Sequence, residues 1–197
     1  MAESGRPREF DVDEALDKAV EVFWRQGYEA TTLDDLTNAM QIARTSLYHA
    51  FGNKEATFRR AVERYAQTRM GYLDEAIGLP TARAVAEHYL RSNLMAVTAR
   101  GGDPTGCLTI QGGLAAGAAD QGVVQFLGDC RAGAEARLAE RFRAAAAQGD
   151  LPPDEQPAHL AKYLFTIAAG LAVQARAGAS RADLAPVVER TLSAFPG

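Results

Sequence analysis

The chain has 197 residues, 47% hydrophobic and 23% charged, with a formal net charge of −4 at pH 7. That length suits one small domain plus one larger domain with its own core, and two cysteines in such a chain exclude a disulfide framework. No window holds the ~20 consecutive apolar residues of a membrane span, and residues 1–11 are charged where a secretory signal needs an apolar core, so a cytoplasmic location and no membrane partner are expected.

Glycine and proline gather at a few points, alanine is abundant, and no stretch alternates Val, Ile and Thr as a strand would. An all-α fold of about nine helices is expected. In the first helix Ala15, Leu16, Ala19, Val22 and Phe23 recur at helical spacing, and Gly27 stands where a left-handed C-terminal cap is wanted. The stretch from Thr31 to Glu55 then fits two short helices set at an angle, followed by the start of another. Thr32 caps the first of them, with Asp35 three residues on completing a Thr-x-x-acid start. Leu33, Leu36 and Met40 share its buried face. Gln41 and Ile42 interrupt the periodicity, Ile42 being apolar enough to plug the angle. From Ala43 to Phe51 it resumes, with Leu47 and Phe51 facing inward. Arg44, Thr45, Tyr48 and His49 fall at i, i+1, i+4 and i+5, one stripe of hydrogen-bonding side chains on a helix short enough for a major groove. Thr32 and Ser46 stand at the two helix starts as further candidate contacts.

These residues resemble the helix-turn-helix of the TetR/AcrR family of bacterial transcriptional regulators. Thr31-Thr32, the run Leu47-Tyr48-His49-Ala50-Phe51 and the pair Lys54-Glu55 match motifs typical of that family. Two positions depart from it: Gln41 occupies a turn site that often carries Gly, and Ala43 replaces a capping Ser or Asn, which costs about 1 kcal/mol. The motif match covers about residues 10–66, and beyond it the resemblance rests on helical layout and on the run from Gly170 to Gly178. It implies a helix-turn-helix DNA-binding domain over residues 1–53 and an effector-binding and dimerisation domain over residues 54–197, with the fourth helix shared as connector. The function implied is a ligand-responsive regulator, a repressor that binds a palindromic operator as a dimer and is released by an unknown small molecule. Arg6 and Arg8 on an N-terminal arm, and Lys54 beside free helix-start amides, are the phosphate candidates.

Charge argues the other way. Residues 1–66 hold nine Lys/Arg against twelve Asp/Glu, where a nucleic-acid-binding domain is expected to be basic. The acids Asp11, Asp13, Glu14, Asp17 and Glu21 sit on or before the first helix, whereas Arg6, Arg8, Arg44 and Lys54 lie on parts that would approach DNA.

Further helices are expected from about Lys54 to Ile77, Thr81 to Ala99, Cys107 to Ala116, Gln121 to Gln148 and Gln156 to Ala177. A last one starts at Ser180, whose Ser-x-x-Asp pattern with Asp183 is a capping signature, and ends near Ala194. In the family the last two helices of each subunit build a four-helix dimer bundle, which the resemblance places here on Leu164, Ile167, Leu171 and Gln174 with Leu184, Val188 and Leu192. The competing reading puts the same residues in the subunit's own core. Tyr72, Tyr89, Asn93, Cys107, Gln111, Phe126 and Phe165 offer apolar surface with scattered polar tips, the composition expected around a small-molecule cavity, and each serves equally as core.

Cys107 stands at a helix start, where free amides favour a thiolate, so a redox-sensing thiol on this scaffold is one alternative, against plain packing. His49, His88 and His159 are dispersed, with no metal-ligand spacing. No Gly-rich phosphate loop, nucleophile elbow or Glu-x-x-His pair is present, so neither catalysis nor a cofactor is expected. A helical protein-interaction module that keeps the helix-turn-helix shape without reading DNA is the remaining alternative.

Overall fold

The structure is a computed structural model that describes residues 10–98, 104–115 and 121–196, and among these every regular element is a helix. Ten helices follow in order: α1 Val12–Gln26, α2 Leu33–Met40, α3 Arg44–Phe51, α4 Lys54–Arg69, α5 Tyr72–Ile77, α6 Ala82–Val97, α7 Leu108–Ala115, α8 Gln121–Ala147, α9 Pro157–Arg176 and α10 Arg181–Ser193. The stretch expected as one helix from Lys54 to Ile77 is therefore two. Met70 leaves helical geometry at φ −115° and Gly71, a poor helix former, lets the chain turn so that Leu73 and Ala76 enter the core.

Local chemistry accounts for most of the boundaries. The Asp11 carboxylate accepts from the backbone amides of Asp13 and Glu14 at 2.8 and 3.1 Å and opens α1, which Gly27 closes at φ 80°. Thr32 and Asp35 form a reciprocal capping box at α2, and Ser180 and Asp183 form another at α10. Hydrogen bonds from Thr32 and Ser180 hold the Asp35 and Asp183 carboxyls below the usual carboxylate range. Thr81 caps α6 by accepting from Ala84 N at 3.1 Å, and Asp150, beyond the end of α8, accepts from Ala82 N at 2.5 Å.

Packing then sets the layout. In α1 the residues Ala15, Leu16, Ala19, Val20, Phe23 and Trp24 form the buried stripe, laid mainly against α4 and α2. The most extensive helix pairing is α8 with α9, and α6 packs on α5, α9 and α10. Helix α7 lies on α8 and also touches α1 and α4, so it sits between the two halves of the molecule. Three arginines link α1, α4, α8 and α9. Arg64 of α4 donates to Asp17 at 2.8 Å and to Asp13 at 3.0 Å of α1. Arg59 of α4 reaches Gly122 O of α8 at 3.1 Å and lies 4.6 Å over the Phe126 ring. Arg176, at the end of α9, donates to Arg25 O at 2.8 Å, a carbonyl in the last turn of α1. Among the described residues, no helix is long and apolar enough to cross a membrane.

Candidate functional site

Two short helices make the first candidate surface. Leu36 and Met40 of α2 and Leu47 and Phe51 of α3 are buried, which turns Arg44, Thr45, Tyr48 and His49 outward together. The corner between them is tight: Gln41 adopts the left-handed conformation at φ 55° and ψ 40°, the only non-glycine to do so among the described residues. Ile42 is half-buried against the core and its amide donates to Thr37 O, which closes the corner. Ala43 supplies no side-chain cap, as its methyl group dictates, so the first amides of α3 have no side-chain acceptor at that position. Arg60 of α4 steadies the far end, donating to Ala50 O at 2.5 Å with its guanidinium 4.8 Å over the Phe51 ring.

The candidates do not all stand alike on this surface. Ser46 is half-buried beside the exposed stripe. Thr32 is exposed, but its hydroxyl is engaged, accepting from Asp35 N at 3.1 Å and donating to the Asp35 carboxylate at 2.7 Å. Lys54 differs from expectation: its ammonium turns back to Glu29 O at 3.3 Å and lies 4.4 Å over the Tyr28 ring, so it braces the loop between α1 and α2 rather than projecting. Arg6 and Arg8 lie outside the described residues. Arg60 carries no motif signal in the sequence; only its reach across the α3–α4 corner identifies it.

A second site lies between α5, α6, α7 and α9. Tyr72, Tyr89, Asn93, Cys107 and Phe165 come together around a small chamber of about 20 Å³, with Thr109 and Ile110 of α7 closing it. Asn93 Nδ2 donates to the Tyr72 hydroxyl at 3.0 Å. Burial raises the Tyr72, Tyr89 and Tyr65 hydroxyls above their usual pKa, so all three stay protonated. Cys107 is buried, with its Sγ 3.2 Å from Thr109 Oγ1 and the Tyr65 hydroxyl as a second partner. Two larger cavities adjoin this chamber. One, about 400 Å³, runs between α4, α5 and α8 past Met70, Thr109 and Phe165; the other, about 460 Å³, lies between α8 and α9 and shares Ile110, Phe165 and Ala169. Phe165 borders all three. Arg131 lines both large cavities and donates to Thr109 O at 2.7 Å, a role nothing in its sequence neighbourhood announces.

Two expected lining residues stand elsewhere. Phe126 lies under the Arg59 guanidinium near the start of α8, because the Arg59 link between α4 and α8 claims its ring. Gln111 donates to Thr105 O at 3.2 Å and packs behind Gly106, which bends at φ 85° against α9. Cys130 borders the 400 Å³ cavity, and burial pushes its thiol pKa up, with Asp129 adding to the effect.

The expected dimer residues need the largest correction. Leu164, Leu171, Leu184, Val188 and Leu192 are all 6% exposed or less, packed inside the subunit, where its own core claims their side chains. Ile167 is half-buried and Gln174 exposed. What α9 presents outward is a different stripe: Tyr163, Thr166, Gly170, Val173, Gln174 and Ala177. On α10 the exposed residues on one side include Asp183, Pro186, Val187 and Arg190, and Tyr163, Val173 and Val187 are among the large apolar side chains left exposed. Among the described residues, no group of three or more His, Cys, Asp or Glu could hold a metal ion.

Comparison with known proteins agrees with this geometry. The profile described as "Bacterial regulatory proteins, tetR family" matches residues 15–61, which contain α2, α3 and most of α1. The chain is 33% identical over 195 residues to the HTH-type transcriptional repressor ComR of Escherichia coli (strain K12), covering 98% of this chain and 92% of that protein. Its fold is similar to a cysteine mutant of the TetR family transcriptional regulator CifR complexed with 26-bp double-strand operator DNA, with TM-score 0.90 and 38% identity, covering 97% of this chain and 100% of that one. A second CifR cysteine mutant, also complexed with operator DNA, matches with TM-score 0.90 and 39% identity over 98% of this chain and 100% of that one.

Proposed function

The chain belongs to the tetR family of bacterial regulatory proteins, and from that membership we propose that it is a repressor that binds a palindromic operator as a homodimer and is released by a small molecule. The observation that carries this reading is the division of labour on α3: Leu47 and Phe51 are buried while Arg44, Thr45, Tyr48 and His49 share one exposed stripe. A helix so placed can put a guanidinium against a guanine edge and a phenol and an imidazole against neighbouring bases. The uncapped first turn of α3 offers amides to a phosphate, and residues 1–53 form the reading unit. Lys54 supports that unit from within and is removed from the set of phosphate contacts. The acidic balance of residues 1–66 leaves few phosphate contacts per subunit, so two subunits on one operator are needed for useful affinity.

Residues 54–197 serve as the effector and dimerisation part, with α4 shared between the two. The dimer face assigned here is the exposed stripe of α9 and α10 around Val173 and Val187. An effector in the cavities beside Phe165 would hold apart helices α4, α8 and α9, and the Arg64, Arg59 and Arg176 links would carry that displacement to α1 and so to the spacing of the two α3 helices. Fluorescence anisotropy with DNA from upstream of the gene tests the core of this reading. Nanomolar binding that weakens steeply with salt is expected, whereas binding no tighter than to scrambled DNA would reduce the chain to an interaction module.

A further inference from the structure

Resting on the effector reading above, the structure carries an inference about what kind of molecule that effector is. Asn93 is 5% exposed, and its Oδ1 has no hydrogen-bond partner. A buried polar atom left unpaired is costly and marks a place where a partner is expected. Its carboxamide lines the 20 Å³ chamber, and its Nδ2 is already committed to the Tyr72 hydroxyl. That hydroxyl accepts from Asn93 and keeps its own proton for an acceptor. Reversing the carboxamide leaves the same offer, one donor and one acceptor side by side.

No charged side chain lines this chamber: its other walls are Tyr89, Cys107, Phe165 and small or apolar groups. An anion or an ammonium placed there would lose its hydration against nothing of opposite sign. The space suits a single polar head of about the size of one water. Beyond Phe165 and Met70 the cavity widens to about 400 Å³ with walls that include Val62, Ala66, Leu73 and Ala134; of its charged residues Arg131 comes nearest through its bond to Thr109 O, and none of them lines the Asn93 chamber. We propose that this site selects an uncharged ligand carrying a hydroxyl, or an equivalent head that both donates and accepts, on an apolar body, with the head on Asn93 and Tyr72 and the body beside Phe165. A polar site of this kind discriminates strongly, because the analogue lacking the head leaves buried groups unpaired.

Three probes of similar size separate the alternatives on the full-length protein: 2-phenylethanol, ethylbenzene, which lacks the head, and phenylacetate, whose head is charged. The single tryptophan, Trp24, lies edge-on to Tyr65 at 5.0 Å, and Tyr65 reaches Cys107, so Trp24 fluorescence and calorimetry both report occupancy. The alcohol should bind about tenfold or more tightly than either analogue. Asn93→Leu should reverse the order of alcohol and ethylbenzene. Should Asn93→Leu fail to fold by near-UV circular dichroism, Tyr72→Phe decides, and it should erase most of the preference for the alcohol. Tighter binding of phenylacetate, equal binding of alcohol and hydrocarbon, no binding of any probe up to its solubility limit, or a preference untouched by the folded variants would overturn the proposal. Operator release is scored separately. Selective binding without release keeps the ligand class and removes the effector reading, while release by a charged compound keeps the effector reading and removes the ligand class.

Discussion

Around α1 and α4 the core is closed by rings in contact: Phe23 meets Phe58 edge-on at 4.9 Å, Tyr28 meets Phe58 at 5.0 Å, and Trp24 meets Tyr65 at 5.0 Å. Between α5, α6 and α9 the rings stand further apart, Tyr72 to Tyr89 at 6.0 Å and Tyr89 to Phe165 at 6.4 Å, and the adjoining space between α8 and α9 is lined in part by the small residues Gly128, Ala132, Ala136 and Ala169. The first arrangement holds two eight-residue helices in one orientation, which their own length could not do. The second leaves cavities that packing has not filled. A regulator needs this asymmetry, since a rigid reader transmits a spacing faithfully and a half-filled core can be changed by what enters it.

The comparison breaks most visibly in stability. Phe58 is fully buried between Phe23 and Tyr28, so Phe58→Ala should cost about 3–5 kcal/mol of unfolding free energy. Phe165 is half-buried and already borders three cavities, and Phe165→Ala should cost about 1 kcal/mol or less. Urea unfolding of the two variants measures both. Equal costs would mean that the cavities beside Phe165 are closed in solution and that the two halves are equally well packed.

The next effect concerns the surface that each half leaves uncovered. Val173→Glu with Val187→Glu puts four carboxylates into the proposed two-fold interface of a dimer, and the protein should sediment as a folded monomer with operator affinity lowered about a hundredfold or more. Leu171→Glu with Val188→Glu should instead unfold the subunit, because both side chains lie in its interior. A stable dimer in the Val173/Val187 variant would place the interface elsewhere.

That contrast also explains which parts were legible in the sequence. The first half speaks through local chemistry: the Thr32–Asp35 box, Gly27 and the polar stripe on α3 each act within one turn of helix, so their spacing alone places them. In α9 the apolar residues run nearly all round the helix, with Leu164, Leu171 and Ala168 on one side and Tyr163 and Val173 on the other. Periodicity then cannot say which stripe faces the subunit and which faces outward; only the position of α6 and α8 decides. Tyr72, Tyr89, Asn93, Cys107 and Phe165 could be grouped from composition, yet Thr109 lines the same space and is held by a long-range bond from Arg131 that no local pattern encodes. The break at Met70 and Gly71 is silent in the sequence for a similar reason, since the helical pattern continues across it and the turn follows from where Leu73 is buried.

Within the reading half, a smaller effect sharpens the assignment of contacts. Arg44→Ala should remove about 1–3 kcal/mol of discrimination at one base position and alter the preferred operator in a binding-site selection. Lys54→Ala should leave both the preferred operator and the salt slope in place, and lower the melting temperature instead, because its ammonium serves Glu29 and Tyr28. A salt slope lowered by about one unit per subunit for Lys54→Ala would return that residue to the phosphate contacts.

The smallest effect asks whether the reading half depends on its ion pairs once the rings are in place. Arg64 donates to both Asp17 oxygens, at 2.8 and 2.9 Å, and these bonds hold the Asp17 carboxyl below its usual range, against the opposing effect of burial. A carboxyl whose folded pKa is depressed contributes stability that is complete above its unfolded value, about 3.9. The contribution is lost as pH falls through the folded value below that. Asp17→Asn should therefore lower the melting temperature at pH 7, and the two proteins should converge as the pH drops below about 3.9. Asp17 is nearly half exposed, so solvent screens the pair and the difference at pH 7 should be only about 1–2 °C, shrinking further in molar salt. A difference as large as that of Phe58→Ala would show that the α1–α4 contact rests on charge more than on Phe23, Phe58 and Trp24. A difference that persists unchanged at pH 2.5 would show that Asp17 acts by packing and not through its bond to Arg64.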